Sequence, residues 1–278
     1  MNEIHDIPAL PPRPEDAHKG TFGTLLILGG STQMIGAPML AARSAYRAGC
    51  GLVQVAMPQA VLAPALAIVP EAIGLRLVGK EGDVRRLSAA IGRADAVVAG
   101  PGLGQEPEAE ALLRAVYSAA KPAVLDADAL NLLAAREKWP AFNSPAVLTP
   151  HPGEMKRLAR HLGRDEVPSD DQRRIELAAQ AAGAFGCVVV LKGRRTVVSD
   201  GERYRVNTTG DDSLAKAGSG DVLSGLIGSL LAQGMSPLEA AVCGVHYHGL
   251  AGEAAGRALG RRAVLAMDVA DRVGEVMP

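Results

Sequence analysis

A doubly wound α/β fold, with a mostly parallel central sheet and helices on both of its faces, is predicted by three observations. Short, wholly apolar segments recur along the 278 residues. Helical patterns stand between them, and glycine-rich or polar loops follow them. Strands covered on both faces read as continuous hydrophobic runs, whereas a half-exposed sheet alternates apolar with polar. Hydrophobic residues make up 48% of the chain and aromatics 3%, so a large core can form from small aliphatic side chains.

Residues 1–20 are rich in proline and charge and read as an irregular lead-in. "TLLIL" (24–28) is the first buried strand, and a glycine-rich turn leads from it into a helix through "APMLAARSAYRAG", stopped at Gly49. "LVQVA" (52–56) is the next strand, and no element is assigned over 57–95. "AVVAG" (96–100), a helix near 107–120, "AVLDA" (123–127), a helix near 128–137 and "AVLT" (146–149) continue the alternation. Helices from about 153, and from about 170 to 183, precede the strand "CVVVL" (187–191). "TVVSDGERYRV" breaks the rhythm: two β-rich pieces flank Asp200-Gly201, as in a hairpin at the sheet edge. "DVLSGLIGSLLAQG" pairs apolar residues at 222/223, 226/227 and 230/231, one broad helical face that ends at Gly234. "SPLE" (236–239) then forms a capping box with proline at the first helical position. No repeat or linker divides the chain, so residues 21–278 read as a single domain.

The charge balance, 29 basic against 30 acidic residues, gives no global attraction to nucleic acid or an anionic membrane. Any anion recognition must be local. Cys50, Cys187 and Cys243 lie far apart in apolar surroundings without a C-x-x-C pair, and read as buried structural thiols of a reducing compartment. The amino terminus lacks a basic and then apolar leader pattern. No apolar run reaches the roughly 18 residues that span a bilayer. A cytoplasmic location is expected.

In doubly wound sheets, ligands bind outside the carboxyl ends of the strands. The informative residues cluster there: "GGSTQMIGA" (29–37), "GPGLG" (100–104), "DADALN" (126–131), "TPHPGE" (149–154), "KGRRT" (192–196) and "AGSGD" (217–221). The last combines glycines with a carboxylate at a helix start, where backbone N–H groups are unpaired and partial positive charge collects. Gly218, Ser219 and Gly220 could hold a migrating phosphoryl group there while Asp221 acts as base; alternatively, Asp221 only caps the amides. "GGSTQMIGA" is neither a dinucleotide fingerprint nor a Walker loop. "GPGLG" permits close approach to a ligand, and a plain strand-to-helix turn explains it equally well. Lys192, Arg194 and Arg195 suit either nucleotide phosphates or an exposed hairpin. Asp126 and Asp128 could order metal-bound water, or Asp128 could cap the next helix. Glu154 suits Mg²⁺ through water, and His151 fits a substrate hydrogen-bond donor better than a magnesium ligand. His246 and His248, two apart on a helix, read as structural.

Together these segments resemble the ribokinase-like superfamily, whose G-x-G-D anion hole ends in a catalytic aspartate near the carboxyl end, as in "GSGD" (218–221). Within it, "GGSTQMIGAPMLAARSAYRAGCGLV", "AGPGLG", "LDADALN", "LTPHPGEMKRL", "VVLKGRRTVV" and "AKAGSGDVLSGLIGSLLAQG" are similar in order and spacing to the ADP/ATP-dependent NAD(P)H-hydrate dehydratases. The resemblance covers about residues 20–270, and "TPHPGE" is its most specific element. It implies a ribokinase-like catalytic domain that restores NADH and NADPH from their hydrates with ADP, or ATP, and Mg²⁺. It implies that Ala37, Gly102 or Gly104, His151 and Asp221 contact the hydrate. It assigns the nucleotide to Lys192, Gly193, Arg194, Arg195, Thr196 and Gly220, and catalysis to Asp221 with Gly218, Ser219 and Gly220. The resemblance suggests a homo-oligomer. Many bacterial relatives carry the epimerase as a fused amino-terminal domain for which this chain has no room. The R hydrate is therefore expected to be epimerised spontaneously or by a separate, functionally linked NAD(P)H-hydrate epimerase. Two features depart from the family: Ala217 and Ser219 stand where members often have glycine and threonine. The alternative is a vitamin kinase of the same superfamily, acting on a hydroxymethylpyrimidine or thiazole, whose members usually show N-x-x-E where this chain has His151-Pro152-Gly153-Glu154.

Overall fold

Alternating apolar strands and helices assemble into one ten-stranded sheet in the computed structural model, which describes residues 1–79 and 82–278. The strands are β1 (Asn2–Glu3), β2 (Thr24–Leu28), β3 (Leu52–Pro58), β4 (Ile73–Leu77) and β5 (Ala96–Ala99), then β6 (Ala123–Leu125), β7 (Ala146–Leu148), β8 (Val188–Leu191), β9 (Val197–Ser199) and β10 (Arg203–Val206). Their order across the sheet is β1-β10-β9-β8-β7-β6-β5-β2-β3-β4. All neighbours from β8 to β4 are parallel, and β9 alone runs against them, paired with β8 and β10. The hairpin around Asp200 and Gly201 therefore lies at one side of the sheet, as expected. Its outer strand is itself covered, because Asn2 and Glu3 from the lead-in pair with Arg203 and Tyr204. An unpaired strand edge invites just such a partner.

The helices are α1 (Gly36–Arg47), α2 (Gln59–Leu66), α3 (Gly82–Arg93), α4 (Pro107–Tyr117) and α5 (Asp128–Ala134), then α6 (Pro152–Leu158), α7 (Asp171–Phe185), α8 (Ser219–Ala232), α9 (Pro237–Leu259) and α10 (Ala266–Val276). Successive strand residues face opposite ways, and β2 shows the consequence. Leu25 and Ile27 join one core with α1, α2, α8, α9 and α10, while Leu26 and Leu28 join a second with α3, α4, α5, α6 and α7. Both faces are thus covered, which is why the strands need no polar residues. The three cysteines are buried and unpaired. No helix among the described residues is long and apolar enough to cross a membrane.

Helix α8 sits deepest, against α1, β2, β5 and β6. Its glycines make the approach possible: a Cβ on Gly225 would overlap the backbone of Ala41 in α1, and one on Gly228 would overlap Val98 in β5. A backbone carbonyl cannot swing aside as a side chain can. Gly225→Val is therefore expected to lower stability by about 3 kcal/mol through overpacking, measured as a fall in the urea midpoint at unchanged slope. A midpoint within experimental error of the parent would mean that α1 and α8 can separate freely.

The chain leaves β2 for β3 and β4 on one side, then returns to β5 on the other. The loops after β2 and β5 consequently flank the topological switch point, where such sheets open a crevice.

Candidate active site

At the start of α8, Gly218 takes the left-handed conformation (φ 89°), and a Cβ there would come within 2.6 Å of Leu40. The Ser219 amide donates to the Lys216 carbonyl at 3.3 Å. The amides of Gly220 and Asp221 have no acceptor among the described residues, and no side chain caps the helix. Two free donors at a helix start form a ready anion site. Ser219 is buried, with its Oγ 3.2 Å from His248 Nε2. Burial pushes the His248 pKa down to about 4, so its ring is neutral at pH 7. His248, read as structural, therefore holds one of the expected phosphoryl-contacting residues.

Lys192 lies at the centre of the site. Its Nζ is 2.8 Å from Asp126 Oδ1 and 3.8 Å from Glu154 Oε2. An added Cβ on Gly220 would lie 3.1 Å from the same nitrogen, which shows how closely the ammonium approaches the α8 turn. The ends of β6 and β8 and the starts of α6 and α8 thus converge on one charge. With its side chain 18% exposed, Lys192 does not belong to an exposed hairpin, whereas Arg194 and Arg195 are exposed.

The surplus of carboxylates sets the electrostatics. Burial pushes Asp221 up to about 7, reinforced by Asp126 and opposed by Lys192. Glu154 is likewise raised to about 7, by burial first, with Lys192 pulling down and Asp126 pushing up. Burial disfavours the Lys192 ammonium, but Asp126 and Glu154 outweigh it and its pKa is raised. A carboxylate that titrates near neutrality is suited to general-base work.

His151 is the N-cap of α6. Its Nδ1 accepts the Gly153 amide proton at 2.9 Å, and Glu154 Oε2 accepts the His151 amide proton at 2.7 Å. The reciprocal pair explains why Pro-Gly-Glu follows the histidine. Burial, Lys192 and Arg157 hold the ring pKa down. With Nδ1 accepting, the proton of the neutral ring sits on Nε2, which lies 3.4 Å from Glu154 Oε1. Nε2 is thus a donor at the mouth of the site.

After β6, Ala127 adopts φ 50° and ψ −116°, a strained backbone for a residue with a Cβ. The capping role considered for Asp128 does not match its contacts. It does not cap α5; instead its Oδ2 accepts the Gly104 amide proton at 2.9 Å, and Gln105 and Asn131 donate to Oδ1. Asp128 therefore fixes the "GPGLG" loop. Gly102 (φ 62°) is packed beneath Met34, whereas Gly104 (φ 82°) has open space where a Cβ would stand. Gly104 is the glycine free to meet a ligand. Gly30 donates to the Pro101 carbonyl at 2.9 Å, joining the two loops of the switch point. Ala37 is buried in the first turn of α1.

The 192–196 turn is held from α7 by a residue the sequence reading did not single out. Buried Arg174 donates to the carbonyls of Leu191, Lys192, Arg194 and Arg195. A signal existed: Arg174 shares its helical face with buried Ala178, Ala181 and Phe185. An arginine on an apolar face needs buried acceptors. Thr196 Oγ1 donates to Gly193 O at 3.0 Å within the turn. Among the described residues, no three His, Cys, Asp or Glu side chains form a ready metal cage.

The family model described as NAD(P)H-hydrate dehydratase matches residues 25–274. The chain is 40% identical over 272 residues to a bifunctional NAD(P)H-hydrate repair enzyme of Moorella thermoacetica, covering 94% of this chain and 50% of that one. It spans about half the length of the bifunctional relatives it matches. It is 42% identical over 254 residues to the ADP-dependent (S)-NAD(P)H-hydrate dehydratase of Neisseria meningitidis serogroup B, covering 87% of this chain and 80% of that one. The ADP/ATP-dependent NAD(P)H-hydrate dehydratase of Bacillus subtilis, co-crystallized with ATP/Mg²⁺, superposes with a TM-score of 0.82 at 33% identity, covering 96% of this chain and 93% of that one. A ribokinase-like superfamily protein of Enterococcus faecalis V583 superposes with a TM-score of 0.82 at 26% identity, covering 96% of this chain and 91% of that one. With a family model matching nearly its whole length, this chain belongs to the NAD(P)H-hydrate dehydratase family.

Proposed function

We propose that this chain restores NADH and NADPH from their S hydrates, consuming ADP and releasing AMP and phosphate. The observation that carries the reading is Asp221, raised to about 7 beside two free helix-start amides and the Lys192 ammonium. The names of the relatives support the substrate. The hydrate carries water across the C5–C6 bond of the nicotinamide ring, and hydroxide is a poor leaving group. Asp221 accepts the proton of the C6 hydroxyl as its oxygen attacks the terminal phosphorus of ADP, and AMP departs. The amides of Gly220 and Asp221 hold the charge on the transferred group, and Ser219 lies alongside. The C6–O bond then breaks with the ring nitrogen's lone pair. Loss of the C5 proton restores the double bond.

His151, through Nε2, Gly104 and Ala37 border the hydrate in this reading, and Lys192 with the 193–196 turn takes the ADP phosphates. The donor set suits Mg²⁺: Asp126, Glu154 and Asp221 outnumber the Lys192 ammonium, and all offer hard oxygens. Glu154 and Asp126 would hold the ion through water, and it neutralises phosphate charge when bound. The Neisseria relative is named ADP-dependent and the Bacillus one ADP/ATP-dependent, and ADP is our assignment. An NAD(P)H-hydrate epimerase activity, functionally linked to this one, would supply the S hydrate. Three buried, unpaired cysteines fit a cytoplasmic setting.

The test is absorbance at 340 nm on hydrated NADH with Mg²⁺ and ADP or ATP. Recovery of the dihydronicotinamide band, with AMP and phosphate appearing from ADP, is expected. Recovery with ATP alone would overturn the donor. No recovery, together with a stable phosphorylated vitamin as product, would replace the dehydratase with a kinase.

A further inference from the structure

We propose that Arg174 is the positioning residue of the nucleotide turn: its guanidinium fixes the peptide planes of residues 191–196 so that their free amides form the cradle for the terminal phosphates of a nucleoside diphosphate. The proposal rests on the assignment of ADP to that turn. Arg174 Nη1 donates to Arg194 O at 2.8 Å and to Arg195 O at 3.1 Å. Its Nη2 donates to Leu191 O at 3.2 Å and to Lys192 O at 3.4 Å. Four carbonyls of one turn thus point at a single planar cation on α7.

A trans peptide carries its N–H opposite its C=O. Carbonyls of Lys192 and Arg194 aimed at Arg174 therefore send the amides of Gly193 and Arg195 to the other side of the turn, whereas the Thr196 amide faces the Gly193 carbonyl across the turn at 194–195. Among the described residues neither the Gly193 nor the Arg195 amide has an acceptor. Outward backbone amides in a turn form an anion-binding concavity, and here the first of them stands one residue from Lys192. The conformation is not one the turn would choose unaided: Gly193 has φ 143° and Arg195, which carries a Cβ, has φ 58°. Strain of this kind persists where surroundings impose it. The Arg195 side chain is tied to Asp171 Oδ2 at 3.0 Å, one helical turn from Arg174. Lysine cannot replace the fork, since a compact ammonium does not span four carbonyls on two nitrogens.

The experiment titrates the folded protein with ADP and Mg²⁺ in the absence of hydrate, then measures turnover with hydrated NADH. In both R174K and R174A, ADP affinity is expected to fall at least tenfold, while the KM for the hydrate stays within twofold. A181G, at a buried site on the same helix, serves as a variant destabilised without contact to the turn and should keep parental ADP affinity. Should R174A fail to fold, R174K carries the comparison. ADP affinity within twofold of the parent in folded R174K, or an equal loss in A181G at matched stability, overturns the proposal. So does a parent that binds no ADP. A parent that binds ADP in an Arg174-dependent way yet leaves hydrated NADH untouched upholds the positioning role and overturns the dehydratase reading instead.

Discussion

Asp221→Asn is expected to lower kcat by about 10³-fold or more while ADP binding stays within a few-fold, since a positioned general base contributes on the order of 10²–10⁴. The amide keeps the shape and the helix start but cannot accept the hydroxyl proton. Because burial and Asp126 raise Asp221 to about 7, the parent's kcat/KM should climb tenfold per pH unit below that value and level off above it. Stability supplies an independent check. The folded-state pKa lies above the ordinary 3.8, so the folded protein holds the proton more tightly than the unfolded chain. Stability is then full below about pH 4 and falls as pH rises through about 7. The asparagine variant, with no charge to bury, should gain about 1–3 kcal/mol over the parent at pH 8. Near pH 4 the gain should vanish. Thermal unfolding at the two pH values measures it, and turnover unchanged in the variant would remove Asp221 as the base.

The parts of this molecule legible in its sequence are those decided locally. "TLLIL" and "AVVAG" become β2 and β5 because an apolar run of that length between glycine turns has few other outcomes. Ser236 and Glu239 form the capping box that "SPLE" announces. The unassigned stretch 57–95 shows where local signals conflict. Helix α2 contains Pro64, and β4, the strand at the far edge, is interrupted by Gly74 and Arg76. Helix α3 does present Leu87, Ala90 and Ile91 on one face, a pattern that could have been read. The site divides the same way. Each loop is recognisable by itself, but Lys192 meets Asp126 and Glu154 only because β6, β7 and β8 are neighbours in the sheet. No spacing along the chain encodes that. For the same reason Asp128 looked like a cap for its own helix, whereas the sheet carries Gly104 to it.

Lys192→Ala follows from that convergence and should be the most disruptive single change in the site. Asp126 is 1% exposed and Glu154 5%, so removing the ammonium strands buried carboxylate charge. Breaking a buried pair in this way costs about 3–5 kcal/mol. The dependence on pH separates this account from simple loss of packing. In the parent, Lys192 has a pKa raised above its ordinary value, so its ammonium is charged at pH 5 and pH 8 alike. In the variant, the carboxylates keep only each other, and the Glu154 pKa, already raised by burial, rises further. Groups raised in this way lose stability as pH increases, so the deficit should be largest at pH 8 and markedly smaller at pH 5, where protonation relieves the repulsion. Urea midpoints at the two pH values read the difference. If Lys192 serves the transferred phosphoryl group as proposed, the variant should also lose turnover about 10³-fold, since the charge beside Gly220 is gone. An equal deficit at both pH values would show that Lys192 serves as packing and that the carboxylates are stabilised by something else.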